Sequence, residues 1–376
     1  MSKWILVPDS FKGTLSSGEI CALMQAAVRR HVPGAEVIAL PVADGGEGSV
    51  DAFLTAVGGE KRFVPCTGPR GVEIQGFFGL LRGGGTAVVE MAAAAGLPLM
   101  EGQLDAAGAT TYGVGELIRA AAAAGARKII VGLGGSATND GGCGMAAALG
   151  VRFLDRAGHP FVPVGGTLEQ VARIEGARPP ELDGVELVTM CDIDNPLCGE
   201  NGASHVFGPQ KGADPALAET LDRGLRHLAE VIRRDLGKDV LDLPGAGAAG
   251  GMGAGMVAFL DSRLEMGIET VLDTVGFDSL LPGATAVLTG EGRLDGQSLR
   301  GKVVVGVARR ARRAGVPVVA VVGDIAPDAR AVYDQGVTAV FSTNRQAVPW
   351  QQARLTARED LAAALEDLFR FYAAVP

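Results

Sequence analysis

The chain has no excess of positive charge: 34 Lys and Arg stand against 43 Asp and Glu, a formal net charge of −9. Nucleic-acid binders need a basic face, so that class is excluded, and an anionic ligand must be met by a local cluster of Lys or Arg. No CxxC occurs, and the cysteines (Cys21, Cys66, Cys143, Cys191, Cys198) are odd in number. That pattern reads as a reduced, cytoplasmic chain rather than a disulfide framework. No run of about 18 apolar residues is free of charge, so no membrane span is expected. Asp9 arrives too early for a signal peptide. The histidines (His31, His159, His205, His227) show neither HExxH nor zinc spacing. A missing GxSxG elbow counts against an α/β-hydrolase, and no repeat of fixed period is present.

Glycine is what the chain has in abundance, 56 of 376 residues. It is not periodic, so collagen is excluded. It clusters between apolar segments, where it lets the backbone reach φ > 0 and lets a ligand come close. The length suggests two domains. Short β-branched runs at 3–7, 36–42, 128–132, 185–190, 285–288, 317–322 and 338–341 suit strands buried on both faces. Helical patterns at 16–32, 112–124, 215–236, 302–314 and 358–371 lie between several of them, the first opened by a Ser16/Glu19 capping box. Strand–helix alternation predicts an α/β protein with a Rossmann- or flavodoxin-like parallel sheet. The first domain is expected to be discontinuous, 1–65 plus 280–376, with a second α/β domain inserted at 66–279.

Ligands of open parallel sheets bind beyond the C-terminal ends of the strands, and five loops there carry polar residues. The first offers Asp9, Ser10 and Lys12 within four residues; a capped turn explains it about equally well. The second sets Asp44 and Glu47 around a Gly-Gly pair, after the second strand. The third, 132–142, holds Gly134, Gly135, Ser136, Thr138, Asn139 and Asp140, a pattern that can cradle phosphate or simply pack closely. The fourth brings Asp192 and Asp194 to a strand end, where strand alternation puts them on the same side. Such a pair suits Mg²⁺ or general-base work, with an Asx turn as the competing explanation. Lys211 follows as a cation. The fifth, 289–302, mixes Glu291, Arg293, Asp295 and Lys302. Gly296 to Lys302 fits GxxxxGK, but Val303 stands where a P-loop needs Ser or Thr, so a standard P-loop is rejected. A GxGxxG match at 245–250 lacks a convincing strand before it and is weak evidence for a dinucleotide site. Acids for Mg²⁺, glycine loops for phosphate and scattered cations together point to phosphoryl transfer on a small polar substrate.

At these same residues the chain resembles the type I (bacterial) glycerate kinase family. The matching stretches are Pro-Asp-Ser-Phe-Lys-Gly (8–13), Ala-Asp-Gly-Gly-Glu-Gly (43–48), Met-Ala-Ala-Ala-Ala-Gly-Leu (91–97) and Gly-Leu-Gly-Gly-Ser-Ala-Thr-Asn-Asp-Gly-Gly (132–142). They continue with Cys-Asp-Ile-Asp-Asn-Pro-Leu-Cys-Gly (191–199), Gly-Pro-Gln-Lys-Gly-Ala (208–213), Gly-Ala-Ala-Gly-Gly (247–251) and Leu-Thr-Gly-Glu-Gly-Arg-Leu-Asp (288–295). Thr14 and Ser298 depart from the family's Ser and Thr but keep a hydroxyl. The resemblance implies ATP- and Mg²⁺-dependent phosphorylation of D-glycerate, at the 2-hydroxyl, with the active site in a cleft between two α/β domains. On that basis Asp192 is the expected general base, with Asp140 its rival. Lys12 and Arg293 are expected to meet the glycerate carboxylate or the moving phosphoryl group. Asp9, Ser10, Asp44 and Glu47 are expected at the substrate, and Gly134, Gly135, Ser136, Thr138, Asn139, Lys211 and Lys302 at ATP. Asp192 and Glu291 are expected at the metal. The expected partner is a small molecule, with neither nucleic acid nor membrane, and the chain a monomer or homodimer. The competing readings are 3-phosphorylation, a nucleotide-cofactor oxidoreductase using 245–250, and a non-catalytic sugar-acid sensor.

Overall fold

The computed structural model describes residues 2–43, 45–176, 178–296, 298–300 and 302–374. The chain divides into two compact units, Met1–Asp44 with Thr55–Val57 and Met266–Pro376, and Gly45–Leu54 with Gly58–Glu265. Both are α/β. The expected boundary at 65 falls inside the strand Gly59–Thr67, which pairs over its whole length with Glu73–Leu81 in the second unit.

In the first unit five parallel strands lie in the spatial order Ala339–Ser342, Val318–Val322, Ala286–Gly290, Lys3–Pro8, Glu36–Ala39. Numbered along the chain this is 5-4-3-1-2, the flavodoxin-like arrangement. Its order reverses between the first and third strands, where ligands of such sheets bind. The helix Ser17–His31 opens on the capping box read from sequence: Glu19 N–H donates to Ser16 Oγ at 3.3 Å and Ser16 N–H to Glu19 Oε2 at 3.0 Å. Its apolar stripe, Ile20, Met24 and Val28, packs with Trp4 and Leu6 of the sheet and with Leu361, Leu365 and Phe369 of the helix Ala357–Ala374. Each fully buried side chain of this kind contributes roughly 1.5–3 kcal/mol before ordering entropy is charged against it. The helix Val303–Arg313 buries Val304, Val305, Val307, Ala308 and Ala311.

The second unit carries a six-stranded sheet in the order Arg263–Glu265, Glu186–Met190, Lys128–Gly132, Thr86–Glu90, Glu73–Leu81, Gly59–Thr67. The first four are parallel and the last two antiparallel. Glu90, Gly132 and Met190 stand side by side at the ends of their strands. The loops that follow them therefore share one edge. The helix Pro215–Leu236 shows its signals plainly: Asp214 accepts Leu217 N–H at 2.8 Å, Pro215 opens the first turn, and Gly237 stops it with φ +69°.

Candidate active site

In the first unit the loops after the first and third strands meet at the switch point. Asp9 N–H donates to Gly290 O across the two strands at 2.8 Å. The Asp9 carboxylate turns back to accept Ser10 N–H at 2.7 Å and lies 3.4 Å from Ser10 Oγ. The third-strand loop is held to the next strand by Gly323 N–H to Glu291 O (3.1 Å), Asp324 N–H to Gly292 O (3.1 Å) and a short parallel ladder pairing Arg293 with Asp324. The Arg293 and Asp324 side chains lie 3.7 Å apart, both exposed. Together these loops line a pocket of about 540 Å³ holding Asp9, Ser10, Lys12, Glu291, Arg293, Asp295 and Lys302. The first and fifth loops singled out in the sequence thus face one cavity.

Glu291, like Asp9, is a buried acid of this pocket, 5% exposed. Burial pushes its carboxyl up to about 7; a hydrogen bond from Ser298 and the charges of Lys302 and Lys12 pull the other way. Its Oε1 has no hydrogen-bond partner among the described residues. A buried carboxyl oxygen left open between two ammonium groups is prepared for a donor or cation that arrives with a ligand.

In the second unit the loops are packed differently from the sequence reading. Gly134 N–H donates to Gly45 O at 3.0 Å, and a Cβ on Gly134 would lie 2.4 Å from Gly46 Cα. These glycines exist so that two backbones can touch. Asp44 lies outside the described residues; Glu47 is exposed. Gly134 is half-buried, Gly135 exposed, and Ser136 buried beside Gly96. Thr138 and Asn139 are wholly buried, so in this conformation they offer no surface to a phosphate. Among the described residues Thr138 Oγ1 and Asn139 Oδ1 have no hydrogen-bond partner, while Asn139 Nδ2 donates to Ser204 Oγ at 3.2 Å.

Asp140 is fully enclosed and saturated. Its Oδ2 accepts Thr111 N–H and Thr111 O–H, both at 2.8 Å, and Gly144 N–H at 3.2 Å, while Oδ1 accepts Gly142 N–H at 3.0 Å. It ties Thr111 to the start of the helix Cys143–Ala148, and burial raises its pKa. A carboxylate so bonded holds the framework of this loop. Lys211, expected as a cation at ATP, is 1% exposed and donates to Thr138 O at 2.6 Å. Burial holds its ammonium down to about 7, and the charge of Asp140 offsets part of this.

Asp192 follows the strand Glu186–Met190 and is half-buried, whereas Asp194 is exposed. The strand stops at Met190, so the alternation expected to put both acids on one side does not extend to them. The 245–250 glycines follow no strand, and Ala249 and Gly250 take positive φ. A Cβ on Gly250 would fall 2.0 Å from Thr138 O and one on Gly247 2.3 Å from Pro196 O. Close backbone packing explains this GxGxxG, and a dinucleotide turn does not.

Two residues escaped the sequence reading. Glu90, 2% exposed, accepts Val50 N–H at 2.5 Å and Gly48 N–H at 3.2 Å, capping the helix Ser49–Val57. An acid closing an apolar run was its signal. Trp350 lines the first-unit pocket although 57% exposed; it lies outside any strand-end loop read for polar residues. Among the described residues, no three His, Cys, Asp or Glu side chains converge as a metal-binding group. No described helix is long and apolar enough to cross a membrane.

A flavodoxin-like sheet with acids and ammonium groups gathered at its switch point, joined to a second α/β unit, defines an enzyme that handles small charged molecules. Comparison with known proteins narrows this. The glycerate kinase family model matches residues 4–373, and the chain belongs to that family. It is 44% identical over 368 residues to the glycerate kinase of Bacillus subtilis (strain 168), covering 97% of this chain and 96% of that one. Over 342 residues it is 44% identical to the glycerate 2-kinase of Escherichia coli (strain K12), covering 90% of each. A crystal structure assigned as glycerate kinase 2 from Salmonella typhimurium LT2 superposes with a TM-score of 0.88 at 41% identity, covering 99% of this chain and 98% of that one.

Proposed function

We propose that this protein transfers the γ-phosphoryl group of ATP to the 2-hydroxyl of D-glycerate, giving 2-phosphoglycerate and ADP. The observation that carries the reading is the switch-point pocket, where Asp9, Lys12, Glu291, Arg293 and Lys302 gather around one cavity. Catalysis of this transfer is mainly positioning and charge neutralisation, and the pocket supplies both signs of charge. Lys12 and Arg293 are assigned to the glycerate carboxylate or the moving phosphoryl group, and Lys302 to phosphate. Asp192 is assigned as the base that takes the proton of the 2-hydroxyl as its oxygen bonds to phosphorus and the bond to ADP breaks. The saturated bonding of Asp140 supports that choice. Mg²⁺ supplies charge neutralisation at the phosphates, and it ordinarily takes only one or two protein carboxylates beside phosphate oxygens and water. Glu291, with its open Oε1, fits that modest demand.

The relative named glycerate 2-kinase supports the 2-position. Phosphorus NMR of the product formed from ATP, Mg²⁺ and D-glycerate tests it, with ADP release followed in parallel. The expected product is 2-phosphoglycerate; 3-phosphoglycerate would overturn the regiochemistry, and no ADP release the kinase reading itself.

A further inference from the structure

We infer that the first-unit pocket is the nucleotide site, and that Trp350 is the platform on which the purine base stacks. This rests on the kinase reading above and says which cavity takes which substrate. Size is the first argument. About 540 Å³ lies within the 300–1,000 Å³ usual for pockets of larger ligands, and a three-carbon acid would leave most of it empty.

Polarity is the second argument. Lys12, Arg293 and Lys302 bring positive charge to the pocket, and Val348, Trp350 and Ala353 bring apolar surface. A nucleoside triphosphate carries both kinds of group, anionic phosphates and a flat π surface. The third argument is Trp350 itself. The chain has two tryptophans. Trp4 is 3% exposed and packs edge-on against Phe369 and Tyr372, with centroids 5.1 and 5.0 Å away. Trp350 keeps 57% of its surface open, and its ring edge comes within 3.9 Å of where a Cβ on Gly13 would sit, so it stands beside the Lys12 turn. An indole held open at the rim of a charged pocket is a stacking surface for a base. In the glycine loop after the strand Lys128–Gly132, the competing phosphate cradle, the close-approach space at Gly132 and Gly134 is taken by the Gly45–Gly46 backbone.

Steady-state kinetics of the full-length enzyme separate the two substrates. Trp350→Ala should raise KM for ATP about 10-fold or more, as loss of base stacking does, while KM for glycerate and kcat stay within about twofold. Trp350→Phe, which keeps a π face, should recover most of the loss. ADP titration should quench tryptophan emission in the wild type and not in Trp350→Ala, where buried Trp4 alone emits. An unchanged KM for ATP, or a rise confined to glycerate, would overturn the assignment. The quenching needs no turnover, so an enzyme inactive on glycerate would sink the functional reading while ADP binding still decides the pocket.

Discussion

Glu291 combines enclosure with two neighbouring ammonium groups, and its proton affinity records which effect dominates. In the folded chain it keeps its proton to about pH 7, whereas an unperturbed glutamate releases it near 4.5. Between those values the unfolded chain binds fewer protons than the folded one, so stability falls as pH rises from about 4.5 to 7 and levels off above. Glu291→Gln abolishes this slope. Urea unfolding at pH 5 and pH 8 should show the wild type losing up to roughly 3 kcal/mol relative to the variant. Asp192 and Asp140 make a sharper contrast. Asp192→Asn should lower kcat about 10²- to 10⁴-fold with the unfolding midpoint unchanged. Asp140→Asn should instead lose roughly 1–3 kcal/mol of stability, because its amide nitrogen must face groups that now donate to a carboxylate oxygen. Near-normal turnover in Asp192→Asn would end its assignment as base. The acids were all visible as residue types. Which one was saturated was not, since the Thr111 bonds to Asp140 cross 29 positions of chain.

At the level of elements, the glycines divide by what surrounds them. Gly134 faces the Gly46 backbone, and a methyl group there must push two loops apart; Gly85 has nothing within 4 Å of the same position. Gly134→Ala should therefore cost about 1–3 kcal/mol, while Gly85→Ala should leave the melting temperature within a degree or so. A thermal melt of both variants checks the difference. The seven strands and five helices expected from periodicity are present; the central strands bury nearly continuous runs, whereas the edge strands Glu36–Ala39 and Ala339–Ser342 are only partly buried. The pair Gly59–Thr67 and Glu73–Leu81 was missed because it is antiparallel and partly solvent-facing, with Phe63 59% exposed. Gly59–Thr67 has neither a continuous apolar run nor clean alternation, and the apolar run of Glu73–Leu81 is interrupted by Gly76 and Gly79. The helix Ala248–Leu260 was missed for another reason. Its glycines disfavour helix, and the backbone is broken at its start: Ala249, Gly250 and Gly251 take non-helical positive φ, so regular helix begins only after Gly251.

For the molecule as a whole, the α/β class was legible because strand–helix alternation is written locally. The seam between units was not, because residues 45–54 join the second unit through backbone contacts that no shift in composition marks. The charged pocket was half legible: loops after strands announced Asp9, Lys12, Glu291 and Lys302, but only the 5-4-3-1-2 strand order brings the first and fifth loops together. That order also governs how the protein is made. Thr289 donates to Val7 O across 282 positions of sequence. At translation rates of about 5–20 residues per second, the nascent Lys3–Pro8 strand waits roughly 15–60 seconds for its central neighbour to emerge. The segment Gly58–Glu265 is synthesised in one piece during that interval and is free to fold first. Until then the apolar Lys3–Pro8 strand has only Glu36–Ala39 to pair with, and its other edge stays uncovered.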